Sequence, residues 1–124
     1  MDTPLNVLGT PLLTCSHEPK TGWFRDGCCN TDEQDFGSHT VCAQVTQEFL
    51  EDLREQGNDL ITPAFQHGFP GLRPGDQWCV CAASWRQAFK SDKACPVVLE
   101  STHARALEII PLEELMVHAI AEEA

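Results

Sequence analysis

Apolar residues recur at helical spacing in two long stretches of the chain and cluster at β-type positions in shorter ones. Between Thr40 and Gln56, Val45, Phe49 and Leu53 fall four apart and Leu50 widens the stripe, which predicts an amphipathic helix over that range. Ser38 or Thr40 can cap its start, and Gly57 supplies a left-handed stop. Glu48, Glu51, Asp52, Arg54 and Glu55 form its wet face. The second stripe, Leu112, Leu115, Met116, Ala119 and Ile120, predicts a closing helix. Pro111 takes its first position, where a missing amide proton costs nothing, and Glu113 and Glu114 face the positive end of the helix dipole.

Gln77 to Cys81 reads as a strand led in by the Pro74-Gly75-Asp76 turn, and Ala82 to Phe89 as a helix carrying Trp85, Ala88 and Phe89 on one face. Pro96 to Glu100 is a strand built on Val97-Val98-Leu99; Thr102 to Ala106 makes a helical turn, and Leu107 to Ile110 is a further strand candidate. Residues 1–35 are rich in turn formers, with Asn6-Val7-Leu8 and Leu12-Leu13 as short strand candidates and Trp23, Phe24 and the thiols as anchors. Residues 57–76 form a long loop, of the kind that is often functional, pinned by Phe65, Phe69 and Leu72. Strands and helices mix without regular βαβ alternation. The expected fold is therefore α+β: one compact domain over residues 1–124, with a small mixed or antiparallel sheet, two to four helices and long ordered loops.

Charge narrows the function classes. Eight basic against 19 acidic residues give a formal charge of −11, and no basic run occurs, so neither nucleic acid nor an anionic membrane surface is an expected partner. Lysine appears only at Lys20, Lys90 and Lys93, a balance that fits either a high-salt cytoplasm or an ordinary acidic protein. The first residues lack the basic and apolar regions of a signal peptide, and no stretch approaches the ~20 apolar residues of a membrane helix. A cytoplasmic location with reduced thiols is the expectation.

Against that expectation, seven cysteines are too many for ordinary usage, and a chain this long does not need them merely to fold. They fall mainly in three motifs: Gly22-Trp23-Phe24-Arg25-Asp26-Gly27-Cys28-Cys29, Gly37-Ser38-His39-Thr40-Val41-Cys42, and Gly71-Leu72-Arg73-Pro74-Gly75-Asp76-Gln77-Trp78-Cys79-Val80-Cys81. Cys15 and Cys95 stand apart.

Zinc takes four sulfur or nitrogen donors in a tetrahedron. His39 and Cys42 flank two residues, and Cys79 and Cys81 share a strand face, so Cys28, His39, Cys42, Cys79 and Cys81 are the candidate metal ligands. A thiol-dependent enzyme would use Cys42 or Cys28 as nucleophile, with His39 as base. A third reading makes the thiols buried packing groups in an interaction module without a site, and a fourth joins the motifs by disulfides. Arg25, Asp26, Cys29, Asp76 and Trp78 complete the candidate pocket, although Arg25 and Asp26 can simply bridge loops, Asp76 fits ordinary turn chemistry and Trp78 fits a core. His17, His67 and His118 read as surface residues, and His103 as a helix-start residue. The chain has no phosphate-cradling glycine loop, no G-x-S-x-G and no H-E-x-x-H, which argues against familiar kinases, hydrolases and dinucleotide enzymes.

The three motifs, together with Asn6-Val7-Leu8-Gly9, Gly57-Asn58-Asp59-Leu60, the Phe69-to-Trp85 block, Val97-Val98-Leu99-Glu100 and Thr102-His103, resemble the bacterial family called domain of unknown function 2237. The resemblance spans nearly the whole chain, with Cys95 outside the pattern. It implies one compact, free-standing domain and carries no known activity. The leading expectation is a thiol-lined pocket that binds a metal ion, zinc among the options, or a small ligand.

Overall fold

The sulfur chemistry is organised by a four-stranded mixed sheet, described here from a computed structural model covering residues 4–17, 20–64, 66, 69 and 71–120. The strands are β1 (Val41–Gln44), β2 (Gln77–Val80), β3 (Val97–Val98) and β4 (Ala119–Ile120), in spatial order β2-β1-β3-β4. β1 lies antiparallel to both β2 and β3, and β3 lies parallel to β4. The helices are α1 (Gln47–Glu55), α2 (Ala82–Lys90) and α3 (Leu112–Val117), with single 3-10 turns at Leu99–Ser101 and Ala104–Glu108. The α+β expectation holds.

Strand alternation divides the sheet into two unlike faces. Val41, Ala43, Trp78, Val80 and Val97 join Phe49, Leu50 and Leu53 of α1, Trp85 and Ala88 of α2, and Ile110 and Leu115 in the main core. On the other face Cys42, Cys79 and Val98 meet Cys15 and Cys29, with Ile120 packed against them. Among the described residues, no helix contributes to this second cluster. This face is covered by the N-terminal segment, which two disulfides, Cys15–Cys42 and Cys29–Cys79, fasten to β1 and β2.

Several local expectations change. The helix expected from Thr40 starts at Gln47, because Val41–Gln44 pairs residue for residue with Gln77–Val80. Its cap is Thr46, whose hydroxyl accepts the Phe49 N–H at 3.2 Å, rather than Ser38 or Thr40. The expected stop is present: Gly57 has φ +95°, its N–H reaches the Arg54 carbonyl, and the Asn58 N–H reaches the Leu53 carbonyl, the Schellman pattern. The closing helix ends at Val117, and Ala119–Ile120 turns into β4 because pairing with Val97–Val98 extends the sheet. Met116 is consequently exposed. Leu107 to Ile110 belongs to a 3-10 turn and the bend after it, not to a strand. The 6–8 segment contributes a single bridge, Asn6 to His103, and Leu12-Leu13 forms no strand. His118 is no bare surface residue; its ring meets Trp85 and Phe89 edge-on. Phe65 and His67 lie outside the described residues.

Candidate functional site

A cavity of about 450 Å³ opens beside β2, between the Gly22–Arg25 turn, His39, the 58–64 loop and Phe69. Its size falls at the lower end of the ~300–1,000 Å³ usual for small-molecule sites. Trp78, Cys79, Val80 and Cys81 form the strand wall.

The turn that carries Trp23 and Arg25 exists because glycine begins it. Gly22 has φ +104°, and a Cβ there would collide with the Cys28 carbonyl oxygen. The Arg25 N–H closes the turn on the Gly22 carbonyl at 3.0 Å, and the Gly27 N–H bonds the Thr21 carbonyl at 2.9 Å. Arg25 itself sits at φ +56°, an uncommon backbone state for a residue with a side chain. Its guanidinium donates to the Gly22 carbonyl and lies 5.1 Å from the centre of the Trp78 ring, in cation–π range.

His39 is held from three sides. Its Nδ1 lies 2.6 Å from Asp35 Oδ1, and its backbone N–H donates to Asp35 Oδ2 at 2.9 Å. The Trp23 ring stacks on it at 6.0 Å between centroids. The Asp35 side chain is fully buried, whereas the His39 side chain is 39% exposed. Burial pushes the Asp35 carboxyl up, but hydrogen bonds from the His39 ring, the His39 amide and the Thr31 hydroxyl outweigh it, so its pKa lies below the ordinary 3.8. With Nδ1 committed to the carboxylate, the free ring nitrogen is Nε2.

The third element is the start of α2. Cys81 is its N-cap residue, with extended backbone and no side-chain cap bond, and no acidic residue occupies the first turn. The Ala82 N–H donates to the Ser38 carbonyl at 3.0 Å, which ties the loop bearing His39 to the helix start bearing Cys81. Ser38 adopts φ +50° at that junction. Cys81 is one of three free cysteines and is half-buried.

Of the ten expected pocket residues, Arg25, His39, Trp78, Cys79 and Cys81 line the cavity. The other five lie elsewhere. Asp26 accepts the Cys28 N–H at 3.0 Å, and Asp76 accepts the Arg73 N–H at 2.9 Å, both as turn residues. Cys28 is a free, half-buried thiol 3.9 Å from the Thr14 hydroxyl. Cys29 and Cys42 are fully buried in the two disulfides and do not line the cavity.

This arrangement corrects the expected chemistry. Cys42 is no free nucleophile, because its sulfur is bonded to Cys15. The metal set Cys28, His39, Cys42, Cys79 and Cys81 does not assemble as free donors either, since Cys42 and Cys79 are both disulfide-bonded. The sulfurs that do converge are those of Cys15, Cys29 and Cys79, all within 4.8 Å of one another, with Cys42 bonded to Cys15. Four of the seven thiols expected to be reduced are therefore oxidised. Cys95 is alone, buried beneath Trp85, where burial raises its thiol pKa far above the ordinary value.

Asp35 was not legible as a site residue. Its only sequence signal is the four-residue spacing to His39, which means little in a loop. Asn58 and Asp59 also line the cavity, and Asp59 spends its carboxylate on the Ile61 and Thr62 amides.

The motifs that build this cavity match one family over residues 5–119. The chain belongs to the DUF2237 family. DUF2237 is described as an uncharacterised protein conserved in bacteria. No curated protein matches the chain. The DUF2237 match takes in Trp23, Arg25, Asp35, His39 and Cys81, so the whole cavity lies inside the family's span. Among the described residues, no helix is long and apolar enough to cross a membrane.

Proposed function

We propose that the cavity binds a small molecule and that Cys81 is the thiol that acts on it, with His39 as general base and Asp35 as the residue that orients His39. The observation that carries this reading is the Asp35–His39 pair. A fully buried carboxylate grips Nδ1 at 2.6 Å and leaves Nε2 directed away from it, in a cavity that also holds a free thiol. Nucleophile, base and orienting group are the three parts of activated thiol catalysis.

Two further features support the assignment. Cys81 sits at the amino end of a nine-residue helix, where the dipole favours negative charge. The Ala82 amide at that end is spent on the Ser38 carbonyl, so a developing oxyanion would draw on the next amides of the first turn, Ala83 and Ser84. In the proposed step the Cys81 proton passes to His39 Nε2, and sulfur bonds to an electrophilic carbon of the ligand. The departing group then takes the proton from His39. Arg25 and the Trp23 and Trp78 rings suit a ligand with an acidic group and a flat or apolar body.

The test is site-resolved alkylation by iodoacetamide, read by mass spectrometry. Cys81 should react fastest of the three free thiols, and His39→Ala should slow it at least tenfold while leaving Cys28 unchanged. Equal rates at Cys81 and Cys28, both indifferent to His39→Ala, would sink the enzyme reading.

A further inference from the structure

We infer that the four buried cysteines Cys15, Cys29, Cys42 and Cys79 form a zinc site when the protein is reduced. The two disulfides and the metal centre are then alternative states of one cluster. This site is separate from the cavity chemistry assigned to Cys81 and does not depend on it.

The geometry comes from two directions. Cys42 and Cys79 are register partners on β1 and β2. Neither amide enters the ladder between them: the Cys42 N–H donates to Thr102 Oγ1 at 3.2 Å and the Cys79 N–H to Thr21 Oγ1 at 2.9 Å. They are thus a non-hydrogen-bonded pair, the kind whose side chains lie closest. Cys15 and Cys29 reach them from the N-terminal segment, held by the bonds of the Cys15 and Ser16 amides to the Gly27 carbonyl. The sulfurs of Cys15, Cys29 and Cys79 already lie within 4.8 Å of one another.

A tetrahedron with about 2.3 Å zinc–sulfur bonds has edges of roughly 3.8 Å. Breaking each disulfide forces its two sulfurs apart to about that non-bonded distance, while Cys15 needs to approach Cys29 and Cys79 by about 1 Å or less. Cys42, once released from Cys15, has to turn its sulfur inward to take the fourth corner. Two donors fixed on a sheet and two on a covering segment give a closed four-thiolate site of the structural kind. Reduction without a metal would remove both covalent fastenings of the N-terminal segment and leave it to its hydrogen bonds, such as Leu13 N–H to the Glu100 carbonyl and the Ser101 hydroxyl to the Thr14 carbonyl. A metal in the same place restores the fastening.

The balance is simple. Two disulfides accept four electrons and four protons from two equivalents of a dithiol reductant, which becomes two disulfides. Zinc then displaces the four thiol protons. Thiolate donors select zinc over the hard cations.

The experiment uses the full chain with Cys28→Ser and Cys81→Ser, which leaves the cluster intact and removes the cavity thiol. The protein is reduced anaerobically with a phosphine, loaded with cobalt(II) or zinc, and desalted. About one equivalent of metal should remain, with the visible bands of tetrahedral cobalt thiolate, and zinc should protect four thiols from alkylation. The oxidised form should retain less than a tenth of an equivalent. Adding Cys42→Ser should weaken binding at least tenfold. If the reduced chain unfolds, zinc should restore its circular dichroism. Retention below a tenth of an equivalent after reduction, unprotected thiols, binding by the oxidised form, or no recovery of structure with zinc would each overturn the inference. None of these readouts involves Cys81, so failure here leaves the cavity reading standing.

Discussion

Cys42 and Cys79 face each other across the β1–β2 ladder, yet each is bonded to a cysteine of the N-terminal segment instead of to its partner. The pairing makes a cover out of a segment with little regular structure. Cys15 and Cys42 are 27 residues apart and Cys29 and Cys79 are 50 apart, so each bridge closes a long loop of the unfolded chain. In the loop-entropy account, bridges of this span contribute roughly 3–5 kcal/mol each. Replacing Cys29 and Cys79 together by alanine should lower the unfolding free energy by about 2–5 kcal/mol in urea melts. The loss should match that produced by reduction when the Cys15–Cys42 bridge is retained. A change below about 1 kcal/mol would mean that the segment is held by its packing alone.

Gly22 tests the cavity through its backbone. A Cβ at this position would meet the Cys28 carbonyl, and φ +104° is strained for any other residue. Gly22→Ala should therefore displace the turn that carries Trp23 and Arg25 and cost about 1–3 kcal/mol. The cavity readout is more specific: Cys81 alkylation should lose its dependence on His39, because the Trp23 ring that stacks on His39 moves with the turn. Gly75→Ala is the control. It shares a positive φ but has nothing within 4 Å of the added Cβ, so it should leave Cys81 unchanged.

Most of the fold could be read from the residues whose pattern is local. Phe49, Leu50 and Leu53 define α1, Gly57 ends it, and Trp85 and Ala88 define the buried face of α2. The errors arise where a strand borders a helix. Val41–Gln44 runs directly into the α1 stripe, and Ala119–Ile120 completes the spacing of α3, so periodicity assigns both to helices. Only pairing with residues far along the chain makes them strands. The site was half legible for the same reason. Cysteine motifs point to His39 and Cys81, but Asp35 gains meaning only from its buried contact with His39. Cys15 looked isolated because the sequence does not reveal disulfide connectivity.

Trp85 carries a different prediction. It is fully buried, and its Nε1–H donates to the Cys95 carbonyl at 3.2 Å, which fixes the loop before β3 beneath α2. Trp85→Phe keeps an aromatic ring but leaves that carbonyl without its donor, and should cost about 1–3 kcal/mol. Trp85→Ala also opens a cavity and should cost about 3–5 kcal/mol. The Cys95 thiol reports the change directly. It should resist alkylation in the native protein and become reactive in Trp85→Ala, with the rate following the fraction that opens. Rapid native labelling of Cys95 would contradict the burial on which this rests.

The buried Asp35 links stability to pH, and its sign follows from the direction of its shift. Its carboxyl titrates below 3.8 in the folded protein, because the hydrogen bonds from His39 and Thr31 outweigh the opposing effect of burial. The unfolded chain binds its proton first as pH falls, near the ordinary value of about 3.9. The stabilisation is therefore fully present above that value and is lost progressively as pH drops through it toward the folded pKa. Asp35→Asn removes the charge and replaces one of the two acceptor oxygens by a donor NH2, against the three donors of Thr31 and His39, and should cost about 1–3 kcal/mol near neutral pH. The difference between wild type and Asp35→Asn should then shrink in urea melts taken below about pH 4, since the native carboxylate loses its advantage there. A difference that stayed constant from neutrality into acid would assign the contribution to packing. In that case the role of Asp35 as the charged partner that orients His39 would have to be abandoned.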